Sequence, residues 1–98
     1  EVNLLMKKCI EFNGRLVGID WRKVELKGEL STEKFSALHY LYCNNNQLTS
    51  LDVTKNTALT YLSCSSNQFS SLDVTKNTKL LDDAIRCDAN VVIIRNNN

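Results

Sequence analysis

The sequence predicts an α/β fold: a short solenoid of stacked coils, with parallel strands on a concave face and a helix closing the N-terminal end. Three observations predict it. A 21-residue unit occurs twice in succession, a short segment in each unit alternates between apolar and polar as a strand does, and the apolar residues nearest the N-terminus recur at helical spacing.

The repeat carries most of the argument. Residues 38–58, LHYLYCNNNQLTSLDVTKNTA, align without a gap on residues 59–79, LTYLSCSSNQFSSLDVTKNTK, and fourteen of the twenty-one positions are identical. Two of the differences, Leu48 against Phe69 and Thr49 against Ser70, keep the character of the site. Alternation directs Leu41 and Cys43 inward and leaves Tyr40 and Tyr42 outside. Asn46 and Asn67 then turn the chain. A coil this tight leaves interior backbone groups unpaired, and a buried amide can both donate to them and accept from them, so stacked copies form an asparagine ladder. The remaining stretch, LDVTKNT, returns the chain over the convex side in loops or short turns. Leu51 and Val53 point inward there, Asp52 or Thr54 caps a turn, and Lys55 and Asn56 are expected in solvent.

The flanks follow from the same period. Leu80, Ile85, Cys87 and Asn90 restore the pattern if two residues are inserted around Leu81 and Asp82, giving roughly three concave strands. VVIIRNNN then reads as an apolar closing strand with a polar tail. Residues 30–38 form a diverged half-repeat. Val2, Leu5, Met6, Cys9 and Ile10 lie at helical spacing and Asn13-Gly14 supplies a stop, which predicts a helix over residues 2–12. Residues 16–21, LVGIDW, read as a strand; no pattern places residues 22–29. The organisation is therefore one structural domain, with an N-terminal cap over residues 1–29, repeats over 30–90 and a C-terminal cap strand and tail over 91–98.

The spacing LxxLxCxxNxL resembles the leucine-rich-repeat signature. The wording LDVTKNTALTYLSCSSNQ is similar to the 21-residue leucine-rich repeats of secreted and cell-surface proteins of Bacteroides-type bacteria, a resemblance covering roughly residues 38–95. It implies a bacterial, secreted or cell-surface module for adhesion or interaction, with a protein or glycan partner and an export signal outside this chain. The other reading is a structural spacer, or a repeat fragment of a larger surface protein, without a ligand of its own.

Composition narrows the classes further. With 98 residues, 43% apolar content and a net charge of +1, the chain has room for one core and no field that would draw nucleic acid or an anionic membrane. No apolar run approaches the ~20 residues of a membrane-spanning helix, so direct insertion is not expected. Cys9, Cys43, Cys64 and Cys87 contain no CxxC pair. Each of the last three replaces a core leucine, so the sequence predicts buried thiols rather than disulfides or metal ligands.

Candidate binding residues are the outward strand positions and their neighbours: Tyr40, Tyr42, Tyr61, Asn44, Ser63, Ser65, Arg86 and Asp88. Tyrosine offers a rigid ring with a polar tip and is a frequent interface anchor, although Tyr40 and Tyr61 would also stack simply as neighbours on adjacent strands. No catalytic, cofactor or metal site is expected. His39, the sole histidine, faces away from Cys43, so the two cannot share a proton. Asp52 and Asp73 read as turn formers, and Asp82 and Asp83 as a solvated loop. Trp21 reads as a core seal, and the three glycines are too dispersed to cradle phosphate. Because ~3 repeats are near the minimum for a stable stack, an exposed end available for a homodimer is a further expectation.

Overall fold

Asn13 and Gly14 both lie at positive φ, 53° and 75°, the conformation of the two central residues of a tight hairpin turn. The computed structural model describes residues 8–96. In it the hairpin joins β1 (Cys9–Phe12) to β2 (Arg15–Asp20), which pair antiparallel. The helix expected over residues 2–12 is thus corrected for its described part; residues 2–7 lie outside the described residues. Asn-Gly stops helices and turns hairpins, and here the hairpin prevails because β2 offers a ladder to pair with. Among the described residues there is no α-helix, only a 3₁₀ turn at Asp82–Ala84. Over the described residues the fold is an all-β solenoid rather than α/β.

Four coils follow one another. Each runs a strand through the first sheet, turns a corner, and runs a second strand on the opposite side. The first sheet has the order β1, β2, β4 (Tyr40–Tyr42), β6 (Tyr61–Ser63), β8 (Ile85–Arg86), with β2 onward parallel. On the other side β3 (Lys27–Ser31) pairs with β5 (Gln47–Asp52), and β7 (Ser71–Asp73) with β9 (Val92–Ile94), again parallel. The convex side therefore carries strands as well as turns. Leu30 pairs with Leu51, one period apart, and β3 begins at Lys27, within the stretch that no pattern placed. Leu62 pairs with Ile85, the register the two-residue insertion required. Leu72 pairs with Ile93, which makes the apolar ending the second strand of the last coil.

Between the two sides lies one core. Leu38, Leu41, Leu59, Leu62, Leu72 and Leu80 are each no more than 1% exposed, and burial of such a side chain contributes about 1.5–3 kcal/mol. Trp21 is buried in the place that Cys43 and Cys64 occupy in later coils, its amide donating to the Tyr42 carbonyl (2.7 Å), and so seals the core as the sequence suggested. Arg95 stands one period after Val74. Its guanidinium donates to the Leu80 carbonyl (2.7 Å) and ion-pairs with Asp82 (Nε–Oδ1 2.8 Å), although that second contact lacks the angle of a hydrogen bond.

Two amide ladders satisfy the corners. Asn46 donates to the carbonyls of Trp21 (2.8 Å) and Cys43 (2.9 Å) and accepts from the amide of Leu26 (2.9 Å). Asn67 donates to Cys43 (3.0 Å) and Cys64 (3.1 Å) and accepts from the amide of Leu48 (3.0 Å). Asn90 is exposed and adds no rung. The second ladder corrects an expectation: Asn56 is fully buried, as is Asn77. Asn56 donates to the carbonyls of Thr32 and Phe35 (both 2.9 Å), and Asn77 to those of Val53 (2.9 Å) and Asn56 (2.8 Å). The chain after each inward valine turns through successive backbone bonds, Asn56 N–H to the Val53 carbonyl (3.0 Å) and Leu59 N–H to the Asn56 carbonyl (3.1 Å), and the buried amide of the next coil adds a second donor to those same carbonyls.

Cys64 and Cys87 form a disulfide with Cα atoms 5.2 Å apart. Buried thiols were expected at both positions. Both residues lie one position past the register pair Ser63–Arg86, and their Cα separation falls inside the ~4.4–6.8 Å that a disulfide spans, so these neighbours on adjacent coils can be bridged. Cys43 stays a buried thiol, its pKa pushed up to about 12 by burial.

Candidate functional site

The first sheet, the face that the sequence expects to be concave, is a grid whose rows are set by strand register. One row runs Ile10, Gly18, Tyr40, Tyr61, and the next runs Asp20, Tyr42, Ser63, Arg86. The three tyrosines are half-buried and flank the fully buried Leu41 and Leu62, as alternation requires.

Glycine at position 18 sets the pose of Tyr40. A Cβ there would overlap the Tyr40 ring, so the ring lies across the bare backbone of β2. Tyr42 and Tyr61 touch on the diagonal, with centroids 5.2 Å apart and planes tilted by 41°. The ring contact is thus not between Tyr40 and Tyr61, which are direct register partners. Tyr42 also carries the guanidinium of Arg22, 5.0 Å from the ring centroid. That guanidinium is held by Asp20 through two bonds, Nε to Oδ1 and a terminal nitrogen to Oδ2, both 2.7 Å. The Arg22 hydrogen bond is the main reason the Asp20 carboxyl titrates below its ordinary range.

The polar candidates divide. Ser63 is buried and donates to Asn44 Oδ1 (2.9 Å), while Asn44 donates in turn to Asn45 Oδ1 (2.8 Å). Asp88 accepts from the Ser66 amide with both oxygens (3.0 and 2.9 Å) and is occupied in holding the last corner. Ser65 is half-buried, and Arg86 is exposed at the far end of the second row. Gly18, Asp20, Arg22 and Ile10 belong to the same surface but were not singled out as site residues. The signal was available: aligning LVGIDW on LHYLYC at a spacing of 22 puts Gly18 opposite Tyr40 and Asp20 opposite Tyr42.

Little here resembles a reactive centre. His39 is exposed, just before β4, and Cys43 lies inside the core. Asp52 and Asp73 accept from the amides of Thr54 and Thr75 (both 2.9 Å), so they form turns. Among the described residues no group of three or more His, Cys, Asp or Glu side chains is placed to hold a metal ion, and no helix is long and apolar enough to cross a membrane.

Parallel coils, in-register amide ladders and an aromatic concave face define a repeat solenoid whose exposed sheet is preformed. The family model for leucine rich repeats (2 copies) matches residues 36–82, just under half of the chain, and so supports a leucine-rich-repeat protein. Domains of this kind commonly mediate protein interactions and are typically not enzymes. No curated protein and no solved structure matches the chain.

Proposed function

We propose that this chain is a recognition module that binds a protein through its concave face, exported to a bacterial surface or beyond. The observation that carries the reading is the tyrosine array: Tyr40 laid over Gly18, and Tyr42 in contact with both Tyr61 and Arg22. Rings held in place before binding lose little entropy on contact. Export is supported by the disulfide between Cys64 and Cys87, since such bonds persist in oxidising compartments, and by the wording of the repeats.

The test is quantitative capture from a mucosal surface extract, comparing wild type with a Tyr40→Ala, Tyr42→Ala, Tyr61→Ala variant of unchanged circular dichroism. A specific partner retained by wild type and lost by the variant supports the reading. Equal retention, or none by either, favours the spacer. Loss of capture after enzymatic deglycosylation of the extract would assign a glycan instead of a polypeptide.

A further inference from the structure

Resting on the concave-face reading, we infer that the partner presents an acidic segment bearing one large apolar side chain, taken at the N-terminal end of the face. Two adjoining hollows are present there. The first, about 270 Å³, is walled by Ile10, Gly18, Tyr40 and Tyr42. It falls below the ~300–1,000 Å³ of small-molecule sites and is mostly apolar inside, which suits a side chain of a macromolecule better than a cofactor. Ile10 is 52% exposed, so its apolar surface is open to an arriving side chain.

The second hollow, about 440 Å³, is lined by Lys8, Asp20, Arg22, Lys23, Asn44 and Asn45. The two share Lys8, Asp20 and Arg22. Both Asp20 oxygens are engaged by Arg22, so these two charges offset each other. Lys8 and Lys23 are exposed and add two positive charges to a chain whose net charge is only +1. A concave surface concentrates such a field. An apolar anchor in the first hollow sets the flanking residues of the same segment over the second, where carboxylates meet these lysines and a basic segment is repelled.

The test titrates the protein with three peptides, acetyl-Gly-Glu-Glu-Phe-Glu-Glu-Gly-amide, the same peptide with Ala for Phe, and the same peptide with Lys for Glu, following backbone amide shifts by NMR. The acidic Phe peptide should move Gly18, Asp20 and Tyr42, bind about tenfold more tightly than either control, and weaken as salt shortens the screening length. A Lys8→Glu, Lys23→Glu variant should reverse the preference between the Glu and Lys peptides. Equal binding of all three peptides, equal binding of the Ala peptide, or no binding of any, overturns the inference. If the tyrosine variant loses its captured partner while the peptides show no charge preference, the concave site stands and only the acidic chemistry falls.

Discussion

The residue beneath Asn77 is Val53, where the residue beneath Asn56 is Thr32. The Thr32 hydroxyl donates to Asn56 Oδ1 at 2.6 Å, and Asn77 Oδ1, fully buried, meets no donor. Thr32→Val should therefore cost about 1–3 kcal/mol by orphaning a second buried acceptor. Val53→Thr supplies the missing donor and should be neutral or stabilising by up to about 1 kcal/mol, although valine-to-threonine changes in a core are ordinarily harmful. Urea midpoints of the two variants check both signs. A loss above about 1 kcal/mol for Val53→Thr would mean that Asn77 Oδ1 has another partner.

Acid should weaken the fold through its turns. The carboxyls of Asp52 and Asp73 are held below their ordinary pKa, chiefly by the hydroxyls of Thr54 and Thr75 (2.6 and 2.7 Å). A carboxyl whose folded pKa is depressed adds stability above its unfolded value of ~4, and that stability disappears as pH falls through the folded value. Urea midpoints should hold from pH 7 to 5 and decline below about 4. In Asp52→Asn, Asp73→Asn the side-chain oxygen still accepts but no longer titrates, so the decline should be shallower. An identical decline would remove these carboxyls from the acid response.

The cysteines give a simpler count. Alkylation in denaturant without reductant should modify two thiols, Cys9 and Cys43, and with reductant four. In the folded protein near pH 8 Cys43 should be almost inert, since burial holds its thiol protonated. Mass spectrometry of the alkylated chain reads each number. Four modified cysteines without reductant would exclude the disulfide.

The legible and the illegible parts of this fold have different physical origins. Leu41, Cys43, Leu51 and Val53 could be placed in the core because a period of 21 and a strand alternation of two act on every residue of a unit. Asn56 could not, because a polar residue in a polar turn looks solvated until stacking closes the turn. Residues 9–12 fit a helical spacing as well as a strand, and only the ladder offered by β2 decides between them. The disulfide was hidden because the insertion lengthens the spacing to 23, and because the Cα separation that permits it is a property of the stacked coils. On the concave face the tyrosines were visible from alternation. Gly18, Asp20 and Arg22 were missed because the first coil keeps the register but almost none of the repeat wording.

Gly18→Ala separates the pose of the tyrosine array from the stability beneath it. A methyl group at position 18 overlaps the Tyr40 ring, not backbone, and the ring is the movable end of a half-buried side chain. The substitution should therefore displace the ring toward solvent and cost well under the ~1–3 kcal/mol typical of overpacking a closed core. Partner capture should nonetheless fall by about tenfold, because the ring must be reordered on binding and the apolar hollow beside Ile10 loses a wall. Urea denaturation gives the first quantity and titration with the captured partner the second. If Gly18→Ala binds as wild type does, Tyr40 does not act from its place on Gly18, and recognition must rest on Tyr42 and Tyr61 alone.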